Sequence, residues 1–203
     1  MLQAPFPKLV LASESASRQA LLAAAGLVFE MRPARIDEGE IKQSAKAEGM
    51  LAADCAILLA DMKAARVARG VPDAVVIGAD QLLVCEGHWF DKPRDRMEAA
   101  SQLRSLMGRS HELVTAVVCY RGGERIWHHM ARPRLMMRPL SDAFLSAYLD
   151  AEGERVGETV GGYRLEGLGV HLFERVEGEH SAILGLPMVP LLGFLRQHGC
   201  VLA

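Results

Sequence analysis

Apolar and polar positions alternate along the chain in two different periods. KLVLA (8–12) is a short apolar run and reads as a buried strand. SASRQALLAAAG (15–26) then changes to helical character, with Ser15 as the N-cap and Gly26 as the stop. VFEMRP (28–33) predicts a second strand and ARIDEGE (34–40) a polar loop. From about Ile41 to Gly70 the pattern is helical with a break near Gly49, and its stronger half is 51–70. AVVIGA (74–79) is apolar throughout, as in a strand covered on both faces, and it stops at Asp80.

The second half continues the alternation. LLVCEGHWF (82–90) predicts an adjoining strand and turn, and 95–108 a helix with Gly108 beyond its end. Residues 111–139 hold two strands around an Arg-Gly-Gly turn. A helix capped by Ser141 follows, then a last strand at 170–178 and a terminal helix opened by Pro187. There is no repeat and no low-complexity tract. The pattern predicts an α/β protein: a mixed twisted sheet with flanking helices, two lobes around a cleft, within a single domain spanning 1–203.

Composition narrows the function. Half the residues are apolar and 24% are charged, so a sizeable core needs no metal or disulfide. The net charge of −2 gives no basic field for a nucleic-acid polymer. Cys55, Cys85, Cys119 and Cys200 show no zinc spacing and read as buried free thiols, which fits a reducing cytoplasm. The N-terminal apolar run is too short for a signal peptide, and no run reaches the ~20 residues of a membrane span. His128 and His129 would point to opposite faces of a strand, and the other histidines lack metal spacing.

Four places carry candidate chemistry. In LASESASR (11–18) a strand runs into a serine-rich turn and a helix, where free N–H groups, Ser13, Ser15 and Arg18 suit a phosphate; plain N-capping is the alternative. Asp80, read at the carboxyl end of a buried strand, suits a divalent cation or an attacking water, or else a cap. Lys92 returns after a hairpin-sized excursion towards that cleft. Lys63, on an apolar helix, either joins them or snorkels to the surface. Asp37 and Glu38 sit in the polar loop as solvated charge.

Taken together, several segments resemble the Maf family of house-cleaning nucleoside triphosphate pyrophosphatases, related in fold to inosine triphosphatases. They are LASESASR, IDE (36–38), LADMKA (59–64), GAD (78–80), DKP (91–93), GRSHELVTAV (108–117), GGYRLEGLG (161–169) and ILGLPMVPLLGFL (183–195), in the family's order. The resemblance implies hydrolysis between the α- and β-phosphates, assisted by Mg²⁺ or Mn²⁺. It implies Asp80 as proton acceptor, with Ser13, Arg18, Lys63 and Lys92 handling phosphate. Glu38 and Asp80 would serve the metal and water; which carboxylate is base and which is ligand stays open.

The chain also departs from the family's pattern. Ala16 replaces a proline, Ser17 replaces one of two arginines, and Asp91 replaces a glycine. Gln81 and Glu166 resemble the subfamily acting on 7-methyl-GTP rather than the dTTP and UTP enzymes, and Ser17 stands where that subfamily has tryptophan. Ser17, Gln81 and Glu166 are therefore the specificity candidates. The alternatives are a dTTP/UTP pyrophosphatase and a regulatory interaction protein of septum formation. The expected partner is a nucleoside triphosphate, without nucleic-acid polymer or membrane; the resemblance also allows a homodimer.

Overall fold

A computed structural model describes residues 2–202. Its elements, in chain order, are β1 (Leu9–Leu11), α1 (Ala16–Ala24), β2 (Phe29–Met31), α2 (Glu38–Ala47), α3 (Ala52–Ala68) and β3 (Val75–Cys85). Then come β4 (His88–Phe90), α4 (Arg96–Leu106), β5 (Ser110–Arg121), β6 (Glu124–Ala131) and β7 (Arg134–Met137). Last are α5 (Asp142–Glu152), β8 (Phe173–Glu177), α6 (His180–Ile183) and α7 (Met188–Gln197). The strands form a mixed sheet, as expected, with helices packed on it.

The chain divides into two compact units. The first gathers residues up to Gln81, Thr115–Ala131 and the segment from His180 on. The second holds Leu82–Val114 and Arg132–Glu179, so β3 and β5 supply residues to both.

In the first unit β1 lies between β2 and β3, parallel to each, with Leu9 opposite Phe29 and Val75. The β5–β6 hairpin is antiparallel. One face of these strands buries Leu11, Ile77, Ala79 and Val117 against Leu22 of α1 and Leu191, Phe194 and Leu195 of α7. Trp127 stacks on Phe194 with ring centroids 4.9 Å apart. The other face of β3 meets α3, whose Ala60 and Ala64 are fully buried. Gly78 permits that approach. A methyl group there would overlap the Ala60 carbonyl oxygen and lie 2.8 Å from Ala64 Cβ.

In the second unit β3 turns back into β4 through Glu86 and Gly87, both at positive φ (49° and 80°), a two-residue turn that suits a hairpin. β7 pairs antiparallel with β5 and with β8. His111 is buried here; its Nε2 lies 2.8 Å from Tyr163 Oη, and Phe173 packs on both rings.

Three expectations need correction. β3 does not stop at Asp80: it runs on to Cys85, which places Asp80 mid-strand. The polar loop 34–40 ends early, because Asp37 caps α2 with its Oδ1 on the Glu40 amide (3.0 Å) and Glu38 is the first helical residue. Residues 111–139 hold three strands rather than two, and the sequence pattern gives no sign of α6. The four cysteines are free and buried, as the sequence suggests. Among the described residues no helix is long and apolar enough to cross a membrane.

Candidate functional site

The first unit brings five of the predicted residues together. Ser13 follows β1, and Arg18 lies in the first turn of α1, whose N-cap is Ser15. The Arg18 guanidinium is buried and makes three described bonds: Nε donates to Gly185 O (2.9 Å), and Nη1 donates to Ala79 O (2.8 Å) and Ser13 Oγ (3.2 Å). Burial lowers its pKa, and the carboxylates of Asp80 and Glu38 oppose that shift. A guanidinium stays charged in such a setting.

Lys63 comes from the buried stripe of α3 and is only 6% exposed, so it does not snorkel. Its Nζ lies 2.6 Å from Asp80 Oδ1 and 2.7 Å from Glu38 Oε1. Burial raises the Glu38 pKa, but the ammonium of Lys63, helped by Lys42 and Arg18, outweighs it and leaves Glu38 below its ordinary value. Asp80 is 3% exposed. Its Oδ2 is buried and has no hydrogen-bond partner among the described residues. A buried lone carboxylate oxygen is costly unless something else completes its shell.

Gln81 turns to the opposite face of β3, as strand alternation requires, and its amide meets Thr115 and the end of α6. Ser17 is half-buried on α1. Lys92 and Glu166 belong to the second unit and are both exposed.

A family model described as Maf-like protein matches residues 8–198. The chain belongs to the Maf family. It is 54% identical over 191 residues to a nucleoside triphosphate pyrophosphatase of Granulibacter bethesdensis, covering 94% of this chain and 97% of that one. It is 49% identical over 195 residues to a 7-methyl-GTP pyrophosphatase of Rhizobium meliloti, covering 96% and 98%. A solved dITP/XTP pyrophosphatase of Mycobacterium abscessus aligns over 66% of this chain and 76% of that one, at 16% identity and a TM-score of 0.42, too low to bear on this Maf chain's fold or substrate.

The resemblance drawn from short motifs therefore holds over nearly the whole Maf chain. What motif reading missed is the set of backbone acceptors, Ala79 O and Gly185 O, that hold Arg18. Carbonyl oxygens leave no trace in side-chain identity. The one sequence signal was the glycine of ILGLP: Gly185 has φ +99°, and a methyl group there would press on Arg18 Nε at 3.2 Å.

Proposed function

We propose that this chain is a nucleoside triphosphate pyrophosphatase, which adds water across the bond between the α- and β-phosphates and releases a nucleoside monophosphate and pyrophosphate. The observation that carries the reading is the divided Asp80 carboxylate. Oδ1 is taken by Lys63, which also holds Glu38, while Oδ2 is buried and unpartnered among the described residues, and the Asp80 carboxylate lies within electrostatic reach of Arg18. An oxygen held this way can take a proton from water or join a cation's shell.

The charges support a divalent cation. Arg18, Lys63, Glu38 and Asp80 sum to zero, so these four alone do not neutralise a triphosphate. The available donors are hard carboxylate oxygens, and Mg²⁺ commonly takes one or two of them plus substrate phosphates. Among the described residues no group of three or more His, Cys, Asp or Glu could hold a metal. Asp80 and Glu38 would hold a cation that arrives with the nucleotide. Such an ion supplies charge neutralisation and lowers the pKa of a bound water.

Arg18 and Ser13 then orient phosphate oxygens, and Lys63 pairs with both Asp80 and Glu38 and holds the two carboxylates side by side. Lys92 adds phosphate contact, Ser17, Gln81 and Glu166 bear on base choice, and the preferred base is guanine-like, on the pattern of the 7-methyl-GTP relative. A cytoplasmic location, a nucleotide rather than a nucleic-acid polymer or membrane as partner, and a homodimer belong to the same proposal. The reading as a septum-formation regulator has no observation of its own here.

The test is hydrolysis of 7-methyl-GTP, GTP, UTP, dTTP, CTP and ITP, with and without Mg²⁺ or Mn²⁺, with pyrophosphate and orthophosphate assayed separately. We expect metal-dependent pyrophosphate release. Orthophosphate as the first product, or no turnover on any of the six, would refute the reading.

A further inference from the structure

The apolar stripe of α5 ends on a charge. Leu145, Tyr148 and Leu149 are buried at helical spacing, and the next position of that stripe is Glu152, also buried. Its partner comes from outside the helix. Arg164 donates to Glu152 Oε2 through Nε (3.2 Å) and through Nη2 (3.1 Å). A buried ion pair is weak evidence for stability alone, because apolar residues of similar volume often serve as well. Neither residue is among those that handle phosphate.

What the pair holds is a turn. The Gly167 N–H bonds to Arg164 O (3.1 Å) and closes the turn Arg164–Gly167, with Leu165 and Glu166 at its corners. Leu165 is buried and Glu166 is exposed. A methyl group on Gly167 would lie 3.2 Å from Arg164 Nη2 and 3.6 Å from Glu152 Oε1, so the end of the turn packs on the ion pair. A methyl group on Gly169 would overlap the Arg164 carbonyl oxygen. The chain entering the turn is tied as well: Tyr148 Oη donates to Gly162 O (3.1 Å), and Thr159 Oγ1 donates to Tyr163 O (2.6 Å). Burial raises the Tyr148 pKa, and Glu152, Arg164 and Glu166 all act on it through their charges, so the four side chains share one neighbourhood. Glu166 therefore stands at the corner of a turn that Arg164 anchors to α5, all inside the second unit.

We propose that Glu152 and Arg164 are positioning residues for base choice: the pair fixes the turn so that the Glu166 carboxylate meets the edge of the base in one place. This rests on the pyrophosphatase reading and on Glu166 as a specificity residue. An acceptor discriminates between base edges only when its own position is held, and that is what a buried anchor beneath an exposed carboxylate provides.

The experiment separates base choice from stability. Glu152→Gln keeps the shape and removes the charge that holds the Arg164 fork. We expect kcat/KM for GTP to fall by about tenfold, the scale of one misplaced hydrogen bond, while UTP stays within about twofold of wild type. In a Glu166→Gln background the same change should leave the GTP-to-UTP ratio where it is, because the pair acts through Glu166. In ¹⁵N-labelled protein the Arg164 Nε–H should exchange faster with water in Glu152→Gln and at the wild-type rate in Glu166→Gln. Gly167→Ala presses on the guanidinium without altering charge. It should shift the ratio in the same direction, and it serves if Glu152→Gln does not fold.

GTP and UTP activities that stay as in wild type or fall in parallel, a ratio that moves further in the Glu166→Gln background, or unaltered Arg164 Nε–H exchange would each overturn the positioning role. Wild-type protein inactive on every triphosphate would instead refute the pyrophosphatase reading. The ratio of GTP to UTP dissociation constants, in wild type and Glu152→Gln, would then decide the role of the pair: a shifted ratio supports it and an unchanged one overturns it.

Discussion

Lys63 Nζ lies 2.6 Å from Asp80 Oδ1, and both side chains are almost wholly buried. The pair links the middle of α3 to the middle of β3, which gives it both a structural and a chemical consequence. A mid-strand aspartate is not free to change without cost, and breaking a buried pair by removing one partner typically costs about 3–5 kcal/mol. Asp80→Asn keeps the shape and a hydrogen-bond acceptor for Lys63, but it removes the charge and basicity. We expect kcat to fall by about 10²-fold or more. Thermal unfolding should be measured beside it. A melting temperature near wild type with the activity gone assigns the loss to chemistry; wild-type turnover would remove Asp80 from the reaction.

Gly78→Ala tests how the pair is brought together. The added methyl has no room between the Ala60 carbonyl and Ala64 Cβ. α3 must move away from β3, carrying Lys63 from Asp80. Overpacking of this kind costs about 1–3 kcal/mol. Calorimetry should show the destabilisation, and kcat should fall with it although no site residue has changed. Full activity would mean that the contact between Lys63 and Asp80 tolerates displacement.

Much of this was legible in the sequence, for reasons that can be named. Ser15 and Ser141 cap helices, and apolar runs marked β1 and the first half of β3. The far half of β3 reads as a separate strand because a buried carboxylate resembles a terminator; the lysine that neutralises it is 17 residues away. That partner is invisible to any local pattern. α6 is too short to show periodicity, and its capping by Gln81 and Thr115 is a tertiary fact. The cluster of Ser13, Arg18, Glu38, Lys63 and Asp80 was accessible only through resemblance, since spacing alone left each with an ordinary structural explanation.

His111 predicts a pH dependence of stability. Burial holds its pKa down to about 4, against 6.5 for a free imidazole. The unfolded chain therefore binds a proton between those values and the folded chain does not. Stability should be full above about pH 6.5 and fall with decreasing pH down to about 4, by up to ~3 kcal/mol from this group alone. Glu38, held below its usual range, loses its contribution only at lower pH, as it protonates. Urea unfolding from pH 7.5 to 4 should show the slope, and His111→Gln should flatten it. An equal slope in the variant would assign the dependence to other groups.

The last prediction concerns Glu166, an exposed carboxylate of the second unit and one of the three specificity candidates. The guanine edge offers N1–H and N2–H, and a carboxylate can accept both. Glu166→Gln replaces one acceptor oxygen with NH₂, which would face a guanine donor. One charged hydrogen bond is lost and donor–donor repulsion takes its place, together on the order of 2–3 kcal/mol, or roughly 30- to 150-fold in kcat/KM for GTP and 7-methyl-GTP. Uracil and thymine present one N–H beside carbonyls, and an amide can pair with both, so UTP turnover should hold or rise. The measured quantity is the ratio of guanine-type to UTP activity in wild type and variant. A parallel loss of both would mean that Glu166 supports the structure or the metal. No change in either would place it outside the base pocket and leave base choice to Ser17 and Gln81.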